Sequence, residues 1–455
     1  MIFSSLLFIF WFIPIFFTVY YLVPKKLKNP VLFAGSMIFY GWGEPKYLIL
    51  LAVSILVNYL AGILIGRFRE KAGRLILAAA VVFDIGMLFF FKYINFFIDN
   101  INAVSNAGIG RVDITLPLGI SFYTFQIMSY IIDLYRGRVP VERSVISLGT
   151  YLCMFPQLIA GPIVVYSDVS AALASRDITI INIREGLEMF VLGLGSKVLI
   201  ANNAGEYWKE LEQTGYGNIT APMAWLGMLA YTIQIYFDFN GYSMMAIGLG
   251  KMLGFEFPKN FDLPYISRSM TEYWRRWHMT LSGWFRDYLY IPLGGNRKGR
   301  YRTVFNLFVV WFVTGFWHGA DWNFILWGLY FFVLLMIERA GFGGFLKKHR
   351  LLSHVYSLLA IGFGWMLFAI TDLKLLVLYL SRLFTGGFGG ILFYLRNYGV
   401  ILLAGCLLAS GLGHRVYDRI KRNNVLNAGL LTAVFLLCVA FLADASFNPF
   451  LYFRF

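Results

Sequence analysis

The sequence predicts an all-α polytopic membrane protein, and three observations carry that prediction. Hydrophobic residues make up 59% of the 455 positions and charged residues only 14%, whereas soluble domains carry about 25% charged residues. The apolar residues fall in long runs, and a spanning helix needs about 20 of them in succession. The 39 Lys and Arg residues, set against 24 Asp and Glu, form short clusters between those runs instead of one basic tract. That is the pattern that keeps loops in the cytoplasm, and it argues against a nucleic-acid partner. The length allows about ten crossings and leaves no polar block for a soluble domain, so residues 1–455 read as a single integral membrane domain.

The amino end, "MIFSSLLFIFWFIPIFFTVYYLV", has no basic leader and no small-residue cleavage site, so it is expected to stay as a first span. Basic clusters follow at Lys25, Lys26 and Lys28; at Arg67, Arg69, Lys71 and Arg74; and at Arg136, Arg138 and Arg143. Two more lie at Arg339, Lys347, Lys348 and Arg350, and at Arg415, Arg419, Lys421 and Arg422. Each is placed in the cytoplasm. The connections at 43–46, 99–115 and 205–220 are poor in basic residues and are placed outside, which leaves both termini extracytoplasmic. Asp84 and Lys92, eight residues apart on one helix face, read as an ion-pair system without chemistry. Cys153, Cys406 and Cys438 have no metal-ligand spacing and read as buried, inert thiols.

Two regions do not fit a simple hairpin of spans. Residues 148–166 are uncharged but interrupted by Pro156, Gly161 and Pro162, which suits either a re-entrant segment shielded by protein or a proline-kinked helix. Residues 255–302 interleave charges with Trp and Tyr and place the chain at the cytoplasmic interface. Within them Ser269 and Glu272 have capping-box spacing, which predicts a helix from about Met270 to Leu289.

Chemistry can be sought among the few polar residues in this apolar setting. Asp238 and Asn240, near Gly241, Gly248 and Gly250, suit either a close-approaching substrate or an interhelical hydrogen bond. His278 stands beside Arg275, Arg276 and Trp277 with Ser282 one turn on. Such a cluster either grips a phosphorylated cofactor, through the arginine forks and indole stacking, or anchors the chain to anionic lipid headgroups. His318, in "FVTGFWHGADWNFILWG", follows a short apolar run from Thr303. A buried imidazole there serves either as a general base toward a hydroxyl or as one end of a helix–helix hydrogen bond. Asp321, three residues further, either bonds His318 or caps the next helix. No GxSxG elbow, Walker A loop, HExxH or loop carboxylate pair competes, and no metal site is expected.

The stretch "WFVTGFWHGADWNFILWGLY" resembles the signature of the membrane-bound O-acyltransferase (MBOAT) family. "LPLGISFYTFQIMSYIIDLYRG", "FPQLIAGPIVVYSDV", the run from "FDFNGYSMM" to "PLGGNRKG" and the terminal "NPFLYFRF" are similar to its bacterial, alginate-acetylating branch. The resemblance implies a bundle of about 11 spans with re-entrant segments, an extracytoplasmic funnel and a cytoplasmic opening for the acyl donor. It puts the family's buried catalytic histidine on His318 and its second histidine on His278. Arg275, Arg276 and Trp277 would orient the donor, Trp317 would bind substrate, and Asp238 and Asn240 would line the passage. The implied activity is acetyl transfer from a thioester, acetyl-CoA or an acyl carrier protein, with no resident cofactor. The acceptor side would be an extracytoplasmic partner protein and finally a polysaccharide. Two alternatives are D-alanyl transfer from a carrier protein to a wall polymer and a proton-coupled polysaccharide or lipid transporter, in which His318 and Asp238 relay protons.

Overall fold

A computed structural model describes residues 1–159 and 161–444, and among these every regular element is helical. The terminal "NPFLYFRF" and the carboxyl end lie outside the described residues. In chain order the helices are α1 (Phe8–Leu22, opening with a π turn), α2 (Lys28–Gly43), α3 (Leu48–Phe68), α4 (Gly73–Ser105) and α5 (Ile120–Tyr135). Next come α6 (Val145–Cys153), α7 (Phe155–Leu158), α8 (Tyr166–Ala174), α9 (Ile180–Gly195), α10 (Asn202–Thr214) and α11 (Ala221–Met252). They are followed by α12 (Met270–Arg276), α13 (Met279–Phe285), α14 (Arg300–His318), α15 (Trp322–Ile337), α16 (Gly343–Lys348) and α17 (Arg350–Ala369). The last four are α18 (Leu373–Arg382), α19 (Ile391–Ala409), α20 (Leu412–Ile420) and α21 (Asn424–Asp444).

Among the described residues six helices are long and apolar enough to cross a membrane: Pro45–Phe68, Gly73–Ser105, Trp322–Lys348, Arg350–Ala369, Ile391–Ala409 and Asn424–Asp444. Phe8–Leu22 is apolar but shorter. The protein is an all-α polytopic membrane protein. Its chain divides into two compact units, Met1–Phe190 with Met245–Pro258, and Val191–Met244 with Lys259 onward.

In the first unit α5 is the central helix, buried almost from end to end. It starts at Gly119, whose φ is +73°. A Cβ at this position would stand 2.3 Å from the Leu158 carbonyl oxygen, so both the backbone angle and the space admit glycine alone. Residues 148–166 form no continuous span. The chain leaves α6 at Met154, makes the single turn of α7 around Pro156, and enters α8 from an extended Val165. Backbone groups freed by the break find side chains: Tyr151 donates to the Val164 carbonyl at 3.1 Å, and Phe155 N–H donates to Ser36 Oγ at 3.1 Å. Tyr151, Phe155 and Leu158 are fully buried in protein, the condition under which irregular backbone survives away from water.

Four expectations need correction. Asp84 and Lys92 make no pair with each other: eight residues of helix separate them by about 12 Å, and Asp84 accepts from Asn58 Nδ2 at 2.8 Å while Lys92 donates to Ser121 Oγ at 3.4 Å. Most of 205–220, read as a connection, is the amphipathic helix α10, which buries Ala204, Tyr207, Trp208 and Leu211 on one face. The 99–115 connection likewise begins inside α4, which runs on to a left-handed cap at Asn106. Of the three free thiols Cys153 and Cys438 are buried, but Cys406 is exposed on α19.

Candidate active site

Helices α14 and α15 form a tight hairpin in the second unit, joined by Gly319, Ala320 and Asp321. A Cβ on Gly315 would stand 2.4 Å from the Phe324 carbonyl oxygen, and one on Gly328 would stand 2.3 Å from that of Trp311. The two backbones therefore touch where only glycine fits. The contact fixes His318, the last residue of α14, against the start of α15. His318 is buried and walled by rings set nearly edge-on, Trp317 at 4.9 Å, Trp327 at 5.0 Å and Phe368 at 5.4 Å between centroids. Asn323 donates to the Leu367 and Phe368 carbonyls at 3.0 and 3.2 Å, which ties the end of α17 to this wall. Asp321 takes the N-cap position of α15 in extended conformation, without a side-chain cap bond.

The second histidine sits in a break that local sequence did not predict. Ser269 accepts from Glu272 N–H at 3.0 Å, as the capping spacing foretold, but the helix from Met270 stops at Arg276 and a new one starts at Met279. Between them His278 adopts φ +43° and ψ +55°, a left-handed conformation that costs a non-glycine residue about 1–2 kcal/mol. Tertiary bonds hold it there. Asp262 N–H donates to the Arg276 carbonyl and Met279 N–H to the Asn260 carbonyl, both at 2.9 Å. The Asn260 Oδ1 lies 3.0 Å from His278 Nδ1 and also accepts from Thr280 Oγ1 at 2.9 Å. The opposite, amino end of α12 is anchored by Glu338, whose carboxylate accepts from Met270 N–H at 2.5 Å, Thr271 N–H at 3.0 Å and Thr271 Oγ1 at 2.6 Å. A carboxylate suits that place, where the helix presents unpaired N–H groups.

His278 is 1% exposed and packs edge-on against Phe239 at 4.7 Å. Burial lowers its imidazole from near 6.5 to about 3, so the ring is neutral at physiological pH. Its Nε2 is buried without a hydrogen-bond partner.

A cavity of about 260 Å³ joins the two histidines. His278, Trp277, Arg275 and Ser282 line it on one side, and His318, Thr314 and Trp311 on the other. Arg275 and Ser282 are exposed, so part of the lining is open to solvent, whereas both histidines are buried.

The remaining residues singled out in the sequence lie elsewhere. Arg276 turns away to Glu272 at 3.1 Å and Asp262 at 3.3 Å. Trp317 packs on His318 but is not among the cavity's lining residues. Asp238 forms a buried ion pair with Lys197 at 2.5 Å, and Asn240 points its amide toward Met244 Sδ at 3.7 Å; neither lines the cavity. Sequence reasoning passed over Asn260, Glu338 and Lys197. An ionisable residue inside an apolar run was the available signal for Lys197 and Glu338; Asn260 has no such mark.

A hairpin-held histidine sharing a cavity with a second buried histidine in a helical membrane protein defines a class, and comparison with known proteins assigns it. The family model described as MBOAT, membrane-bound O-acyltransferase family, matches residues 139–382, more than half the chain, and the protein belongs to that family. It is an O-acyltransferase. Among its relatives is the "Probable alginate O-acetylase AlgI" of Pseudomonas putida, 42% identical over 397 residues that cover 85% of this chain and 81% of the relative. The peptidoglycan O-acetyltransferase of Helicobacter pylori is 35% identical over 414 residues, 82% of this chain and 78% of the relative. Similarity to the teichoic acid D-alanyltransferase of Streptococcus thermophilus is narrower, 32% identity over 240 residues, 49% of this chain and 57% of that one.

Proposed function

We propose that the protein takes an acetyl group from a cytoplasmic thioester and passes it across the membrane for O-acetylation of an extracellular polysaccharide. The observation that carries this reading is the shared cavity, lined by both buried histidines and by the exposed Arg275. The polysaccharide comes from the named activities of the relatives, which act on alginate and peptidoglycan.

In this mechanism Arg275 meets the phosphorylated part of the donor at the cavity mouth. Trp277 and His278 steady the arm that carries the thioester. The acceptor hydroxyl reaches the other end from outside, and His318 takes its proton as the oxygen attacks the thioester carbonyl. The carbon–sulfur bond breaks, the ester forms, and His318 returns the proton to the departing thiolate. The aromatic walls exclude bulk water, which would otherwise hydrolyse the thioester. The acceptor is a secreted or membrane-anchored partner protein, which completes delivery to the polymer, and the chain termini lie on that same extracytoplasmic side.

His318→Ala is expected to abolish acetylation of surface polymer while the protein still inserts in the membrane. Normal acetylation by a well-expressed variant would remove His318 from the mechanism. The match to a D-alanyltransferase favours one alternative, a D-alanyl donor carried on a protein-bound phosphopantetheine. Labelled acetyl-CoA supplied inside vesicles carrying the purified protein and its partner separates the two: label on the acceptor supports acetyl-CoA, and transfer only from a charged carrier protein supports the alternative.

A further inference from the structure

The hydrogen bonds around His278 fix more than its position. Asn260 Oδ1 accepts from Thr280 N–H at 3.4 Å and Thr280 Oγ1 at 2.9 Å, so the oxygen of the amide, and not its nitrogen, faces that side. The same oxygen lies 3.0 Å from His278 Nδ1. An amide oxygen has no proton to give, so the Nδ1 atom must be the donor. A neutral imidazole carries one ring proton, and with that proton on Nδ1 the Nε2 atom holds a bare lone pair. Nε2 is the buried atom that has no partner, on a residue that lines the cavity.

We propose that Asn260 is a positioning residue that locks His278 in the Nδ1-protonated tautomer, so that Nε2 presents a hydrogen-bond acceptor to a ligand N–H or O–H group in the cavity. An amide N–H on the arm of the thioester donor has the matching chemistry. This ligand assignment rests on the donor-side reading of His278; the tautomer assignment does not. The left-handed backbone at His278 belongs to the same device, because the strained turn brings Nδ1 to Asn260 while the paired carbonyl of Asn260 holds Met279. Burial supports it independently, since it keeps the ring neutral and stops a second proton from occupying Nε2. His278 is then an orienting acceptor rather than a base, which leaves proton removal to His318.

The experiment uses full-length protein with ¹⁵N-labelled histidine in lipid, and the His278→Gln variant identifies the His278 signals. The expected spectrum shows Nδ1 with a directly bound proton and Nε2 without one. Asn260→Leu removes the acceptor and is expected to mix the tautomers, whereas Asn260→Asp keeps an acceptor at Nδ1 and restores the bare Nε2 signal. In transfer assays Asn260→Leu is expected to raise KM for the thioester about fivefold to tenfold, the value of one hydrogen bond, with a smaller effect on kcat. A protonated Nε2 in the wild type, or an unchanged tautomer in Asn260→Leu, would overturn the proposal. If His278→Gln left KM unchanged while the tautomer was as stated, the donor-side role of His278 would fall and the positioning role of Asn260 would stand.

Discussion

Substituting Gly315 by alanine tests whether the helix crossing sets the catalytic geometry. The new Cβ would sit 2.4 Å from the Phe324 carbonyl oxygen and 3.2 Å from Gly328 Cα, and real Cβ atoms essentially never come within 3.0 Å. Both obstacles are backbone, so no side-chain rotation relieves them, and α14 must move from α15 by about 0.6 Å to restore 3.0 Å. Alanine gains about 1 kcal/mol of helix propensity over glycine, while forced overpacking costs about 1–3 kcal/mol. The two terms leave a net loss of up to about 2 kcal/mol. With His318 as the proposed base the effect on catalysis is larger, because His318 is three residues further along the displaced helix and a misplacement of about 1 Å costs on the order of 100-fold in rate. Gly315→Ala is therefore expected to lower kcat about tenfold or more, measured with saturating donor in membranes, with a modest fall in melting temperature. Gly86→Ala, inside α4 where nothing lies within 4 Å of the new atom, is the control: kcat should be unchanged and stability should rise by up to about 1 kcal/mol. Full kcat and undiminished thermal stability in Gly315→Ala would refute the argument that the glycine crossing positions His318.

Three more outcomes follow from the same contacts. His278 ionises near 3 in the folded protein and near 6.5 when unfolded, so between those values the unfolded chain binds a proton that the native one does not. Stability contributed at this locus is full above pH 6.5 and falls on acidification, by up to about 1.4 kcal/mol per pH unit. Melting curves of wild type and His278→Gln should therefore diverge below pH 6.5, and parallel curves would contradict the burial argument. Lys197→Met strands the Asp238 carboxylate and should cost about 3–5 kcal/mol, whereas the Lys197→Met/Asp238→Leu pair should recover most of it; equal losses in both, by thermal unfolding in detergent, would count against a buried ion pair. Glu338→Ala removes the anchor of α12 and should lower stability by about 2–3 kcal/mol and raise KM for the donor, with Glu338→Gln intermediate; an unchanged KM would separate α12 from donor binding.

The fold class was legible because membrane helices write themselves in composition: the uninterrupted apolar runs of α3 and α21 need no tertiary partner to be recognised. The helices that remained hidden are those whose apolar face alternates with charge, such as α10, where Glu206, Lys209 and Glu210 resemble a loop until Tyr207, Trp208 and Leu211 are seen on one side. The ion pair expected of Asp84 and Lys92 failed for a geometric reason. Eight residues return to the same face but two turns away, and Asn58 on the adjacent α3 was nearer. In the site, both histidines stood out as rare polar residues in apolar or aromatic surroundings. Arg276 and Asp238 stood out equally, yet they are taken up by Glu272, Asp262 and Lys197. Residue type could not separate the two kinds, because Asp262 and Lys197 come from elsewhere in the sequence and only Glu272, one turn before Arg276, was in view.

The same helix sets both ends of the cavity. At its start α15 meets α14 through Gly315 and Gly328 and thereby places His318. At the residue after its end, Glu338 holds the first two N–H groups of α12 and thereby the approach to His278. Helix α12 has only seven residues, too few to be stable alone. Its position is therefore imposed by contacts such as this carboxylate and the edge-on packing of Trp274 against Trp311 and Phe331, both at 4.8 Å. A continuous helix from Met270 to Leu289 would have needed none of these contacts, and it would have carried His278 on an ordinary helical face with Nδ1 out of reach of Asn260. Breaking the helix costs the left-handed turn at His278, and the bonds from Asn260, Asp262 and Glu338 are what offset it. The placement of the two histidines thus depends on one helix, α15, which touches α14 beside His318 and carries at its end the carboxylate that holds the start of α12.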